Sequence, residues 1–187
     1  DRLYIKLDFP FNRNDIDPTK TKYKLPASAP LNQLTSVATK YGLSGWETFT
    51  GVPGSLGGAI CMNAGTSLGE IGSLIESVRI MGSDGNIKDI DCDASFFRYR
   101  NNNFLGDDEI ILSAVIRHNG INKDITEKIN DYLAYRKTTQ PLTTKNCGSV
   151  FKNLEKHIAG KTIDLLGLKG FGPEHLTVSY MPVSYTH

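Results

Sequence analysis

At 187 residues the chain can form one domain or two small ones, and with 39% hydrophobic residues it can build a sizeable core. Its formal net charge of +1 argues against nucleic acid as a partner, because nucleic-acid-binding proteins usually carry a basic face. No apolar run approaches the roughly 20 residues that a membrane helix needs, so a membrane-spanning protein is not expected.

The first part of the chain is predicted to alternate strands with one helix. Residues 4–9 have the pattern of a strand, and the polar stretch 12–25 is expected to be a surface excursion between two strands. Apolar residues at helical spacing predict a helix over 31–41. Pro30 near its start and Gly42 just past its end support these bounds.

The second part of the chain continues in the same manner. The pattern predicts a hairpin over 78–90 and a long strand over 109–118. Two helices are predicted, one over 124–136 and one over 159–166 that Gly167 ends. Strands grouped with interspersed helices indicate an α+β fold.

Three cysteines are spaced unlike metal ligands, and no metal site is predicted. An odd number of cysteines does not make a disulfide framework either. We expect reduced, buried thiols of a cytoplasmic protein at Cys61, Cys92 and Cys147.

The most distinctive feature is a glycine-rich stretch from Gly51 to Gly65, with the sequence Gly-Val-Pro-Gly-Ser-Leu-Gly-Gly-Ala-Ile-Cys-Met-Asn-Ala-Gly. Glycine lets backbone N–H groups approach a ligand closely, and successive N–H groups form a nest that suits a pyrophosphate. The spacing differs from both the Rossmann fingerprint and the Walker A loop. A tight buried turn that packs small residues is the alternative interpretation.

Further motifs follow this stretch in a fixed order. Tyr99-Arg100 comes first, then Arg136-Lys-Thr-Thr-Gln-Pro141, and then Gly148-Ser-Val-Phe-Lys-Asn153. Together with the glycine-rich stretch and with Ala159-Gly-Lys-Thr-Ile-Asp164, these motifs resemble the UDP-N-acetylenolpyruvoylglucosamine reductase family of flavoenzymes. The resemblance extends from about Leu31 to about Phe171.

The resemblance implies an α+β fold with an FAD-binding domain of the vanillyl-alcohol-oxidase (PCMH) type and a small α+β substrate-binding domain. We expect residues 1–121 to be the C-terminal part of the FAD-binding domain. Residues 122–187 are then the substrate-binding domain, with a truncated or altered tail. Members of the family carry a further N-terminal segment, so the chain is expected to be a fragment.

The resemblance also implies an activity, the reduction of UDP-N-acetylglucosamine enolpyruvate to UDP-N-acetylmuramate with FAD and NADPH. This step belongs to bacterial peptidoglycan synthesis in the cytoplasm, and so to cell wall biogenesis, cell shape, cell division and the cell cycle. We expect a monomer whose fragment as given is inactive. The alternatives are another flavin oxidoreductase of the same fold, or a catalytically inactive chain that holds a UDP-sugar.

Catalytic roles are assigned by position in the family's motifs. Ser149 is expected to protonate the substrate carbon next to the carboxylate, and Arg100 to stabilise the enolate-like intermediate. Arg98 is the competing cation, but it does not fall on the motif. The family also uses a Glu near its C-terminus, and Glu174 does not fall on that motif. Asn102 stands where the family usually has Ser.

Binding residues are assigned in the same way. Substrate contacts are predicted at Tyr99, Arg136, Lys152 and Asn153. The cations and the amide suit the two phosphates of UDP, and Tyr99 is the Tyr of the family's Tyr-Arg motif. Contacts with FAD are expected along the glycine-rich stretch, at Pro53, Gly54, Ser55, Gly57, Gly58, Ala59, Asn63 and Gly65.

Overall fold

The computed structural model describes residues 6–143, 148–154, 157–173, 176–181 and 185–186. Its contacts divide the chain into two compact units, Asp1–Ile129 and Asn130–His187. Cys147 and Glu174 lie outside the described residues. Within the described ranges, no helix has both the length and the apolar character needed to cross a membrane.

The secondary structure is α+β, as the sequence predicts. Its helices are α1 (Leu31–Tyr41), α2 (Leu56–Cys61), α3 (Ile125–Thr139) and α4 (Ala159–Leu165). Its strands are β1 (Lys22–Pro26), β2 (Gly65–Thr66), β3 (Gly69–Glu70), β4 (Ile75–Met81), β5 (Ile87–Asp91), β6 (Phe97–Arg98), β7 (Asn101–Asn102), β8 (Ile110–Arg117), β9 (Thr177–Val178) and β10 (Tyr185–Thr186). Short 3-10 turns occupy Arg13–Asp15, Trp46–Phe49, Ile71–Leu74 and Ala94–Phe96.

A four-stranded antiparallel sheet in the order β1-β8-β4-β5 organises the first unit. One face of this sheet supplies buried residues to the core, among them Tyr23, Ile80 and Ile116. Trp46 is fully buried and meets the Tyr23 ring edge-on, with 5.4 Å between the ring centroids. Because aromatic pairs add stability beyond their buried area, this contact fixes the 3-10 turn before the glycine-rich stretch against the sheet.

The helix predicted over 31–41 is confirmed as α1. Its buried side chains recur at helical spacing, at Leu31, Leu34, Val37 and Ala38. Gly42 ends the helix in the left-handed conformation (φ 72°), and its N–H donates to the Ala38 carbonyl. The predicted hairpin over 78–90, the strand over 109–118 and the helices over 124–136 and 159–166 are also confirmed, with ends shifted by a few residues.

Several sequence predictions were wrong. Lys6 to Phe9 form no strand, while residues 4 and 5 lie outside the described ranges. The segment 12–25 is not a surface excursion throughout, because it contains most of β1, whose partner β8 is about ninety residues away and left no local signal. Cys61 and Cys92 are free thiols but only half-buried, since both lie at the ends of elements.

The second unit contains α4 and the small β9–β10 hairpin, in which Val178 pairs with Tyr185. Helix α4 ends as predicted at Gly167 (φ 66°), whose N–H donates to the Asp164 carbonyl at 3.0 Å. The boundary between the two units falls within helix α3, after Ile129. The domain division between residues 121 and 122 stays a prediction.

Candidate functional site

The glycine-rich stretch forms a loop followed by the short helix α2, which the sequence analysis did not predict. The first two N–H groups of α2 are already used inside the protein. The Leu56 N–H donates to the Ala29 carbonyl at 2.9 Å, and the Gly57 N–H donates to the Ala27 carbonyl at 2.8 Å. These bonds attach the loop to the segment that follows β1.

Gly57 and Gly58 have opposite surroundings. A Cβ built on Gly57 would lie 2.8 Å from the Cβ of Ala27, so this glycine is needed for packing inside the protein. A Cβ on Gly58 meets only the Ser55 hydroxyl, at 3.9 Å, and a Cβ on Gly54 meets nothing within 4 Å. The buried-turn interpretation therefore describes Gly57, while the backbone at Gly54 and Gly58 is open.

The open side of the loop carries Pro53, Gly54 and Gly58, all exposed, with Ser55 between them. Ser55 precedes α2 in an extended conformation, and its hydroxyl makes no capping bond to the helix. Ala59, by contrast, is buried and bonds through its carbonyl to the Ala64 N–H at 2.7 Å. The open backbone of this stretch is therefore at Gly54 and Gly58, whereas Ala59 packs inside the protein.

Asn63 is a buried residue whose side chain bonds entirely within the protein. Its amide nitrogen donates to the Glu70 carboxylate and to the Arg98 carbonyl, both at 2.9 Å. Its amide oxygen accepts the Gly72 N–H at 3.0 Å. Its φ of 40° is a left-handed conformation that asparagine tolerates better than most residues. These bonds make Asn63 a structural centre of the site.

Arg100 lies against the end of the glycine-rich stretch. Its guanidinium donates to the Asn63 carbonyl at 3.4 Å and to the Gly65 carbonyl at 2.8 Å. It also lies 4.0 Å from the Glu70 carboxylate and stacks over the Tyr99 ring, 5.0 Å from its centroid. The fold thus brings together two motifs that are separated by more than thirty residues.

Glu70 was not found by the sequence analysis. Its carboxylate contacts both Asn63 and Arg100, so it connects the glycine-rich stretch with the Tyr-Arg motif. The only local signal is the preceding Gly69, which sits in a left-handed turn (φ 135°) of the β2–β3 hairpin. In the sequence, a single Glu after a turn glycine cannot be distinguished from an ordinary surface carboxylate.

Two further residues of the Tyr-Arg region, Asn102 and Arg98, lie near Arg100 in the sequence. Asn102 donates to the Cys61 carbonyl at 2.7 Å and accepts the Leu105 N–H at 2.9 Å, which anchors the loop that carries Arg100. The competing cation Arg98 has an exposed side chain on β6. Among the residues that the structure describes, no group of three or more His, Cys, Asp or Glu could hold a metal ion.

The remaining predicted residues lie in the second unit. The Ser149 hydroxyl is exposed and donates to the Phe151 carbonyl at 3.0 Å, just after Gly148 in a left-handed turn (φ 68°). The Asn153 side chain accepts the Ala159 N–H at 3.0 Å, which caps the start of α4. The Arg136 guanidinium donates to the Gln140 side chain at 3.0 Å and lies over the Tyr132 ring. Lys152 is exposed.

Comparison with known proteins identifies two family models in the chain. Residues 1–91 match the model described as an FAD binding domain. Residues 140–182 match the model of the C-terminal domain of UDP-N-acetylenolpyruvoylglucosamine reductase. The two matches fall in the same order as the predicted FAD-binding and substrate-binding parts.

Individual relatives agree with these models. The UDP-N-acetylenolpyruvoylglucosamine reductases of Pediococcus pentosaceus and Clostridioides difficile are each 36% identical, over 93% and 94% of this chain and 57% of their own lengths. The crystal structure of the enzyme from Thermus caldophilus superposes with a TM-score of 0.79 at 29% identity, over 93% of this chain and 63% of that one. The chain therefore spans between half and two thirds of the length of these relatives.

Proposed function

Since the chain belongs to the UDP-N-acetylenolpyruvoylglucosamine reductase family, we propose that it takes part in the NADPH- and FAD-dependent reduction of UDP-N-acetylglucosamine enolpyruvate. The product is UDP-N-acetylmuramate, a precursor of bacterial peptidoglycan, and the reaction takes place in the cytoplasm. The chain contributes the C-terminal part of the FAD-binding domain, over residues 1–121, and a substrate-binding domain with a truncated or altered tail, over residues 122–187, to a monomeric enzyme.

The single observation that carries this proposal is the position of Arg100 against the carbonyls of Asn63 and Gly65. These two contacts place the Arg100 guanidinium at the end of the proposed flavin loop. A guanidinium presents paired donors that match a carboxylate, and the enolpyruvyl group carries one. Arg100 then stabilises the negative charge that develops beside this carboxylate during reduction. Tyr99, next to it and half-exposed, forms part of the same substrate surface.

The residues of the loop fit FAD on its open side. Bare backbone at Gly54 and Gly58 admits a phosphate closely, and Pro53 and Ser55 frame the same surface. Gly57, Ala59, Asn63 and Gly65, the other predicted FAD contacts, are packed or hydrogen-bonded within the protein. When bound, FAD supplies the hydride chemistry that no side chain of this protein can provide.

In the second unit, Ser149 donates the proton to the substrate carbon next to the carboxylate. Ser149 lies in the exposed stretch 149–154, directly after Gly148. Arg136, Lys152 and Asn153 bind the diphosphate of UDP, for which cations and an amide are suited. The family's third catalytic group, a Glu, has no counterpart among the described residues that falls on its motif.

Replacement of Ser149 tests this proposal in the full-length, FAD-loaded enzyme that contains this chain. Only the second half-reaction needs a proton donor, so Ser149→Ala should leave flavin reduction by NADPH nearly intact. It should slow reoxidation by the enolpyruvyl substrate by roughly 10²-fold or more, as loss of a general acid typically does. Stopped-flow absorbance of the flavin follows each half separately.

Ser149→Cys is the matched control, since a thiol can still donate a proton and should recover part of the second half-reaction. Equal slowing of both half-reactions by Ser149→Ala would assign Ser149 a structural role. Reduction of a different substrate class by the loaded protein, with none of the enolpyruvyl compound, would instead indicate another flavin oxidoreductase of the same fold.

A further inference from the structure

The loop after β8 contains the sequence Asn119-Gly120, which is the one Asn-Gly pair in the chain. Both residues are exposed, and their backbone is held from one side by Ser44. The Asn119 N–H donates to the Ser44 carbonyl at 2.8 Å, and the Ser44 N–H donates to the Gly120 carbonyl at 3.0 Å. Gly120 (φ 96°) has no side chain to shield its nitrogen.

His118 contacts the backbone nitrogen of Gly120. Each imidazole nitrogen lies near a backbone carbonyl, with Nε2 3.0 Å from the Lys20 oxygen and Nδ1 2.8 Å from the Gly120 oxygen, so the tautomer sets which nitrogen donates. In the tautomer that carries its hydrogen on Nε2, Nδ1 accepts the Gly120 N–H at 3.1 Å. A candidate base is therefore within hydrogen-bond reach of the Gly120 N–H.

Arg117 contacts the side-chain carbonyl of Asn119. Its Nη1 donates to Asn119 Oδ1 at 2.6 Å, while Nη2 donates to the Ser73 carbonyl at 2.8 Å and Nε lies 3.2 Å from the Glu76 carboxylate. The last two contacts hold the guanidinium in place. A fixed cation on a carbonyl oxygen stabilises the negative charge that forms there when a nucleophile adds to the carbon.

We propose that Asn119-Gly120 is a self-deamidation site at which His118 acts as the base and Arg117 stabilises the oxyanion. The arrangement supplies a nucleophile, a base and an oxyanion donor around one amide, which is the set that acyl transfer requires. It is independent of the proposed reductase activity, since none of these residues belongs to that site.

The reaction balances without any redox partner. The Gly120 nitrogen loses its proton to His118 and attacks Asn119 Cγ, which forms a C–N bond and places negative charge on Oδ1. The bond from Cγ to Nδ2 then breaks, and the amide nitrogen takes up the proton, directly or through solvent, and leaves as ammonia. Water opens the resulting succinimide ring to aspartate or isoaspartate at position 119.

Deamidation would alter contacts that Asn119 makes within the first unit. A carboxylate replaces a neutral amide beside Arg117, which lowers the formal net charge of +1 by one. Isoaspartate also adds a carbon to the backbone between the two bonds to Ser44, so one of those bonds must lengthen. Trp46, the one tryptophan of the chain, donates its ring N–H to the Arg117 carbonyl at 2.9 Å and so reports on this change.

The test is ageing of the whole chain at neutral pH, followed by peptide mapping that quantifies aspartate and isoaspartate at position 119. Folded wild-type chain should react about 10-fold or more faster than His118→Gln, which removes the base. It should also react faster than Arg117→Lys and than the same chain unfolded in urea. Trp46 fluorescence should change in step with the modified fraction.

Two controls accompany these variants. Arg79→Lys makes the same exchange on the neighbouring strand β4, in an ion pair with Asp89, and should leave the rate unchanged. Asp84-Gly85 can form the same ring, but its Gly85 N–H donates to the Gly82 carbonyl at 3.0 Å, so isoaspartate should accumulate there far more slowly.

Faster reaction in the unfolded chain than in the folded chain would overturn the proposal, as would equal rates in wild type and Arg117→Lys. Circular dichroism establishes that each variant is folded. If His118→Gln fails to fold, the comparison of Arg117→Lys with wild type still decides the outcome.

Discussion

At the scale of single residues, the two adjacent glycines of α2 have different roles. Gly57 is needed for packing, whereas Gly58 leaves the backbone open to a ligand. Gly57→Val should destabilise the fold by about 1–3 kcal/mol, because the new side chain overlaps Ala27 in a filled core. Gly58→Val should leave the unfolding temperature nearly unchanged and abolish FAD binding, because it covers open backbone. Thermal unfolding and flavin absorbance measure the two effects.

Each of the two valine variants is the control for the other, because one should affect stability and the other flavin binding. Full flavin binding by Gly58→Val would show that the open side of the loop does not hold the cofactor. The sequence predicts FAD contacts at both glycines. For Gly57 the structure adds a role in packing, since the space that a side chain would need is occupied by Ala27.

Cys92 allows a prediction about pH. Burial, helped by the charges of Asp91 and Asp93, raises the pKa of the Cys92 thiol to about 11. At mildly alkaline pH its thiolate fraction should be roughly 100-fold lower than in the unfolded chain, whose thiol has an ordinary pKa. Alkylation followed by mass spectrometry should show slow modification of Cys92 in the folded chain and rapid modification in urea.

The direction of the linked stability change follows from the same shift. Between the ordinary pKa and about 11, the unfolded chain loses the thiol proton while the folded chain keeps it. The free energy of unfolding should therefore fall as pH rises through this range, and Cys92→Ala should reduce that fall. Rapid alkylation of Cys92 in the folded chain would contradict the raised pKa of its thiol.

At the scale of elements, Asn153 is shared between a helix cap and the proposed substrate surface. Asn153→Asp keeps an oxygen that accepts the Ala159 N–H, so α4 should remain capped. The added negative charge should repel a diphosphate and weaken UDP binding about 10-fold or more. Isothermal titration with UDP measures the binding, and circular dichroism measures the helix.

Asn153→Ala is the comparison for this prediction. It removes the cap and should lower the stability of the second unit by about 1 kcal/mol. If Asn153→Asp binds UDP as well as wild type does, the side chain serves only α4 and the substrate role assigned from the motif is wrong.

At the scale of the whole molecule, the start of α3 is fixed to the first unit by an ion pair. The Glu47 carboxylate is buried and accepts both the Gly45 N–H and the Lys128 ammonium group, each at 2.5 Å. Lys128→Met would leave this carboxylate without its cation. Because the Lys128 side chain is half-exposed, we expect a loss of about 1–2 kcal/mol rather than the larger cost of a fully buried pair.

Urea unfolding measures this loss, and Lys123→Met, an exposed lysine just before the same helix, serves as the control. If both variants unfold at the same urea concentration as wild type, the Glu47–Lys128 pair does not stabilise the first unit. A loss confined to Lys128→Met would show that the start of α3 is fixed by this carboxylate as well as by the buried Ile125 and Ile129.

Several of the local elements, and the family, could be predicted from the sequence alone. Helix α1 could be predicted because its apolar residues recur at helical spacing and Gly42 ends it. The β4–β5 hairpin could be predicted because the turn residues 82–85 lie between two short stretches that contain valine or isoleucine. The Tyr-Arg motif and the glycine-rich stretch carried the resemblance that the family models and relatives bear out. All of these signals are confined to short windows of sequence.

How those short segments contact one another is visible only in the folded chain. The strand β1 exists because it pairs with β8, and Gly57 must be glycine because Ala27 lies against it. Glu70 and Asn63 hold Arg100 through contacts that join distant parts of the chain. Such contacts depend on which surfaces the folded chain brings together, and that juxtaposition leaves no periodicity in the sequence from which it could be read.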